Sequence, residues 1–150
     1  MHTNVQTNFN YRSEFKKEWI SDKIEKDCIT WLENFGFYLC DKKDEKDQRP
    51  GFSAMTATQM RNIFGEVKRI EAQLTLDNWD KVLPDVLLLR PKIAYNTARE
   101  ISKRRDSKIK AFREIMELAL KEVDGPDTFR RFAQFFEGII AYHKVYGGKD

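Results

Sequence analysis

Apolar residues in this chain recur every three or four positions, and no convincing run alternates strictly between apolar and polar. Spacings of three and four gather side chains on one face of a helix, whereas a half-buried strand needs a period of two. The first clear segment has Ile24, Cys28, Trp31, Leu32 and Phe35 in helical register. Ser21 or Asp22 is placed to cap it, with Glu25 in capping-box register to Asp22, and Gly36 is a natural stop. Phe37, Tyr38 and Leu39 then read as a short apolar tail tucked onto the core. A second helix starts at Thr56, where Thr56-Ala57-Thr58-Gln59 fits the S/T-x-x-Q capping box, and Met60, Ile63, Phe64, Val67, Ile70 and Leu74 form its apolar face. A third runs from Asp77 to Leu88, with Pro84 expected to kink or interrupt it. Arg90-Pro91 marks a boundary, and Pro91 suits the first turn of a fourth helix ending near Arg104. A fifth covers Ser107–Val123, and after Asp124-Gly125-Pro126 a sixth runs to Tyr146. The expected fold is all-α, a compact bundle of five or six helices forming one domain over residues 1–150.

Two stretches fall outside this pattern. Residues 1–12 are polar and Asn-rich and read as a loose arm rather than a secretory signal. Residues 41–53 open on DKKDEKDQRPG, which has no apolar side chain and reads as a mobile charged loop. No apolar run approaches the ~20 residues that a membrane span requires. The 11 Phe, 5 Tyr and 3 Trp exclude an intrinsically disordered chain. Cys28 and Cys40 make no disulfide framework, which favours an intracellular, cytoplasmic address.

The sixth segment carries Phe129, Phe132, Phe135, Phe136, Ile139, Ile140, Tyr142, His143 and Tyr146. These cover more of the circumference than the stripe of ~100° that a surface helix needs. Such a helix is either central to the bundle or packs against a partner as well.

Charge is uneven along the chain. Residues 56–105 hold 10 basic and 6 acidic side chains, against 9 and 10 in residues 1–55 and 8 and 8 in residues 106–150. On a wheel of about 100° per residue, Lys92, Asn96, Arg99 and Lys103 fall within roughly 60° of one another, with Tyr95 on their flank and Ile93, Ala94, Thr97, Ala98 and Ile101 on the other side. In the second helix Arg61 and Lys68 align, Gly65 lies beside them and Arg69 is further round. A glycine within a helix costs about 1 kcal/mol relative to alanine, so a close approach by a phosphate chain or another helix would explain it. Cations one or two turns apart follow phosphates without reading bases. The plain alternative is a solvated charged face.

Material for catalysis is scarce. The 2 histidines, His2 and His143, are far apart in sequence, the cysteines form no CxxC, and no GxxxxGK[ST], GxGxxG, GxSxG or HExxH occurs. Glu114 and Glu117 read as surface charge among basic neighbours. Neither a metal nor a cofactor is expected, and the chain reads as a binding or assembly protein.

Three segments together resemble a known family. TATQMRNIFGEVKRI (Thr56–Ile70), LLLRPKIAYNTAR (Leu87–Arg99) and FRRFAQFFEGIIAYHKVYGG (Phe129–Gly148) are similar, in order and spacing, to the small subunit of type III-A CRISPR effector complexes, the Csm-type small subunit. The resemblance spans roughly residues 53–148. It implies a helical, non-enzymatic subunit of which several copies stack head to tail beside the crRNA-bearing backbone subunits. They would support the crRNA–target RNA duplex through its phosphates, and no membrane is involved. Carried over by position, Arg61, Lys68 and Arg69 of the first segment and Arg90, Lys92 and Arg99 of the second would contact RNA, and the wheel adds Lys103. Arg130 and Arg131 of the third would contact a subunit or RNA. The competing reading is a helical adaptor whose basic face docks an acidic protein.

Overall fold

A computed structural model describes residues 8–40, 55–104 and 107–148, with only the backbone described at 99–104 and 107. The first seven residues and the expected loop at 41–53 lie outside the described residues. Among the described residues every regular element is a helix. Two single turns, α1 (Tyr11–Glu14) and α2 (Glu18–Ser21), precede α3 (Lys26–Cys40), α4 (Ala57–Gln73), α5 (Trp79–Arg104), α6 (Ser107–Leu120) and α7 (Pro126–Val145).

α7 is the axle of the bundle, packed by α2, α3 and α4. Phe129, Phe132, Phe135, Phe136, Ile139 and His143 are fully buried. Trp31 stacks on Phe135 at 5.3 Å and on Phe35 at 4.7 Å, while Phe64 and Phe112 meet Phe136 at 5.1 and 5.5 Å. The wide aromatic coverage of α7 is therefore core. His143 Nε2 donates to the Met55 carbonyl at 2.6 Å, tying the start of the α4 segment to α7.

Several boundaries differ from expectation. Phe9 packs edge-on to Trp31 and Tyr11 lies against Phe35, so residues 9–12 are not part of a loose arm; their rings bury apolar area that outweighs the entropy of ordering. Ser21 and Asp22 close α2 instead of capping α3. Gly36 does not end α3. An added Cβ there would stand 2.6 Å from Tyr142 Cβ and 2.8 Å from His143 N, so this glycine serves a close α3–α7 crossing. The Thr56–Gln59 capping box forms as expected.

The largest difference lies in α5. The separate helices expected at 77–88 and 91–104 are one helix, Trp79–Arg104, that contains Pro84 and Pro91. Each proline removes the N–H that would satisfy the carbonyl four residues before it, at Asp80 and Leu87. Both prolines are exposed, so water reaches the freed carbonyls. Val82, Val86, Leu89 and Ile93 stay buried along the opposite side and carry the helix through. Burial of that continuous stripe outweighs the local cost of the prolines.

Candidate nucleic-acid interface

α4 and α5 run antiparallel and share a solvent-facing seam. The seam is defined by Glu66, whose Oε1 accepts from Arg69 Nη2 of its own helix at 3.1 Å and from Lys92 Nζ of α5 at 2.9 Å. Arg69 Nη1 also stands 3.9 Å from Asp85 Oδ2 on α5. The Lys92 and Arg69 bonds, in that order, hold the Glu66 carboxyl below the usual carboxylate range. Two residues from Glu66, and so about 160° round α4 on the side of Phe64, Lys68 Nζ donates to Glu71 Oε1 at 2.7 Å, which holds the ammonium pKa up, and it lies 5.8 Å from the Phe64 ring. Arg61 and Gly65 are exposed on the outer side of α4.

Arg69 and Lys92 are thus gathered at one seam, whereas helical register puts Lys68 and Arg61 together further round the outer face of α4, about 140–160° from Glu66. Lys92 and Arg69 share one carboxylate. Arg90 is exposed, but two residues from Lys92 means about 160° around the helix, which turns it from the seam. The backbone of Arg99 and Lys103 continues α5 in register with Lys92. Arg130 is half-buried and stands 3.8 Å from Asp127. Arg131 is committed to the fold: its Nε donates to the Ile20 carbonyl at 2.7 Å and its Nη2 to the Ser21 carbonyl at 3.3 Å, clasping the end of α2.

Exposed ion pairs such as these contribute about 0–1 kcal/mol each, because solvent screens them and side-chain entropy opposes them. A phosphate oxygen offers the cation a similar partner, so exchanging carboxylate for phosphate is inexpensive. Gly65 adds to the access: among the described residues a Cβ there would meet nothing within 4 Å, so no described helix explains it. A cavity of about 530 Å³ lies elsewhere, lined by Arg12, Phe15, Lys17, Glu114, Glu117, Leu118, Lys121 and Glu122. Two of its three carboxylates are engaged: Tyr11 and Arg12 meet Glu114, and Arg113 meets Glu117. Among the described residues no helix is long and apolar enough to cross a membrane.

Two features of this region escape the sequence reading. Glu66 bridges the helices, and only the antiparallel packing of α4 and α5 shows it. The outer side of α5 is apolar, with Leu87 64%, Leu88 50% and Tyr95 82% exposed. Its signal was the Leu87-Leu88-Leu89 run between prolines seven residues apart.

A family model for Csm2 of type III-A matches residues 42–149. A relative from Streptococcus thermophilus, named CRISPR system Cms protein Csm2, is 34% identical over 106 residues, which are 71% of this chain and 84% of the relative. With its all-helical fold and its matches over most of its length, the chain belongs to the Csm2 family of type III-A CRISPR complex subunits.

Proposed function

We propose that this chain is a non-catalytic, RNA-supporting subunit working in the cytoplasm. Copies stack head to tail beside the other Csm-type subunits, and the α4–α5 seam meets the phosphates of the crRNA–target RNA duplex. The observation that carries this reading is the joint hold of Lys92 and Arg69 on Glu66, because it gathers cations from two helices at one exposed place. Arg69 and Lys92 form the centre of the binding set, extended along α5 by Arg99 and Lys103 and round the outer face of α4 by Arg61 and Lys68. Arg90 and Arg130 belong to its margin, and Arg131 is left to the fold. Contacts of this kind carry no base identity, so binding is sequence-blind and weakens with salt.

The test compares RNA retention by the wild type and an Arg61/Lys92/Arg99→Glu triple variant over a salt series. Strong loss in the variant, independent of RNA sequence, is expected. Equal retention would refute the assignment. No retention by either protein would favour the second reading, an adaptor that docks an acidic protein on the same cations.

A further inference from the structure

The turn that joins α4 to α5 carries at its tip an apolar side chain in water: Leu76 is 95% exposed. The turn itself is fastened. Thr75 N donates to Asn78 Oδ1 at 2.8 Å, the Thr75 hydroxyl to Asp77 Oδ1 at 3.1 Å, and Asn78 Nδ2 to the Gln73 carbonyl at 2.7 Å. A lone exposed leucine is ordinary on a protein surface. This one is held out by a turn whose polar side chains fix the backbone, so a partner would meet it already ordered.

A receptor of matching chemistry is built by other elements of the same chain. The cavity of about 530 Å³ between the segment before α2 and the C-terminal half of α6 has Phe15 and Leu118, both partly buried, as its apolar part. A helix about 10 Å across would fill that volume in little more than one turn, so the cavity suits a turn tip rather than a helix. No residue of the Thr75–Asn78 turn lines it, and Leu76 stands in solvent, so its own turn does not occupy it.

Charge fits as well. Glu114 is paired with Arg12 and Glu117 with Arg113. Lys17, Lys121 and Glu122 form no ion pair among the described residues, which leaves the rim two cations against one carboxylate. Around the turn Asp77, Asp80 and Lys81 are exposed and also form no ion pair among the described residues, two carboxylates against one cation. The two sets complement each other in number and sign.

We infer that the Thr75–Asn78 turn is a knob that seats Leu76 between Phe15 and Leu118 of a second copy. Asp77 and Asp80 then face Lys17 and Lys121, and Lys81 faces Glu122. Knob and groove are unlike surfaces, so a joined pair leaves one of each open and growth continues. The inference rests on the head-to-tail part of the function proposed above, gives that contact its residues, and does not use the RNA part.

The test traps the contact in the full chain, without RNA, in a Cys40→Ser background. Leu76→Cys chains are mixed with Leu118→Cys chains, or with Glu122→Cys chains so that the apolar floor is kept, and oxidised. A disulfide between the two variants, in excess of either linked to itself, is expected, and a chain carrying both Leu76→Cys and Glu122→Cys should give a ladder of trimers and larger species. Lys17→Glu with Lys121→Glu on the groove chain should cut the linking more than about tenfold, and Asp77→Lys with Asp80→Lys on the knob chain should restore it. Absent linking, linking mainly of one variant to itself, a closed dimer in place of the ladder, or linking untouched by the lysine reversals would each overturn the inference. The two readings fail separately: equal RNA retention by the Arg61/Lys92/Arg99→Glu variant sinks the RNA assignment and leaves this contact standing, whereas absent linking sinks this contact and leaves RNA retention standing.

Discussion

Glu66 is the most informative residue to change, because it separates two opposite roles for the seam's ion pairs. Its carboxylate accepts from Lys92 at 2.9 Å and Arg69 at 3.1 Å. If phosphate replaces it when RNA binds, Glu66 is a competitor, and Glu66→Gln should bind RNA more tightly. The structural cost is small. Exposed pairs contribute about 0–1 kcal/mol and screening keeps Glu66 near the low end, so the variant should lose no more than ~1 kcal/mol of stability, a Tm shift of about 2–4 °C at this size. On the binding side, relief from a neighbouring negative charge should be of similar size, roughly a threefold to fivefold gain at low salt. Freeing cations from their internal counter-charge should also steepen the fall of log K with log salt by nearly one unit per additional phosphate neutralised. The assay is fluorescence anisotropy with a labelled RNA over a salt series, for wild type, Glu66→Gln and Glu66→Ala. Unchanged or weaker binding by both variants would refute the exchange argument and make Glu66 an organiser that holds the cations in place.

Five further outcomes are expected. Gly65→Ala should raise thermal stability by about 0.5–1 kcal/mol, since the site is open, and weaken RNA binding if a phosphate chain approaches there; Gly36→Ala should destabilise by ~2 kcal/mol or more, because its Cβ would press on backbone atoms of α7. Denaturant melts of Arg131→Ala should show a loss of about 1–3 kcal/mol from the freed Ile20 and Ser21 carbonyls, while RNA retention stays unchanged. The Asp27 carboxyl is held low, first by the Lys16 bond at 2.6 Å and also by Trp19 Nε1 at 3.0 Å, so its contribution is present above the ordinary aspartate range and is lost as pH falls through the lowered folded value. Tryptophan fluorescence in an acid titration should report this loss, and Asp27→Asn should abolish that part of the profile. Burial pushes the Cys28 thiol up to about 12, so thiol reagents at neutral pH should label the native protein at Cys40 alone, with Cys28 reacting only after denaturation.

The helical class, the Thr56 capping box, the start of the last helix at Pro126 and most of the core were legible in the sequence, because each rests on neighbours within one or two turns. Apolar period, cap chemistry and proline geometry are local properties, and the chain states them directly. Boundaries depart from the local signals where a distant contact outweighs a local preference. Gly36 reads locally as a stop, yet α3 continues to Cys40 because α7 requires a residue without a side chain at their crossing. Pro84 and Pro91 read locally as breaks, yet α5 runs through both because one side is pinned to the core and the other is wet.

The same division applies to the candidate site. Which residues are cationic, and that Arg61 aligns with Lys68 and Lys92 with Arg99 and Lys103, follows from spacing alone. That Lys92 shares a carboxylate with Arg69, that Arg90 turns away, and that Arg131 is occupied by α2 depend on how helices lie against one another, and no spacing rule contains that. The sequence by itself determined what each helix has on its faces. Only the tertiary structure decided which faces meet, since burying the aromatic α7 on several sides leaves the outer side of α5 to the solvent.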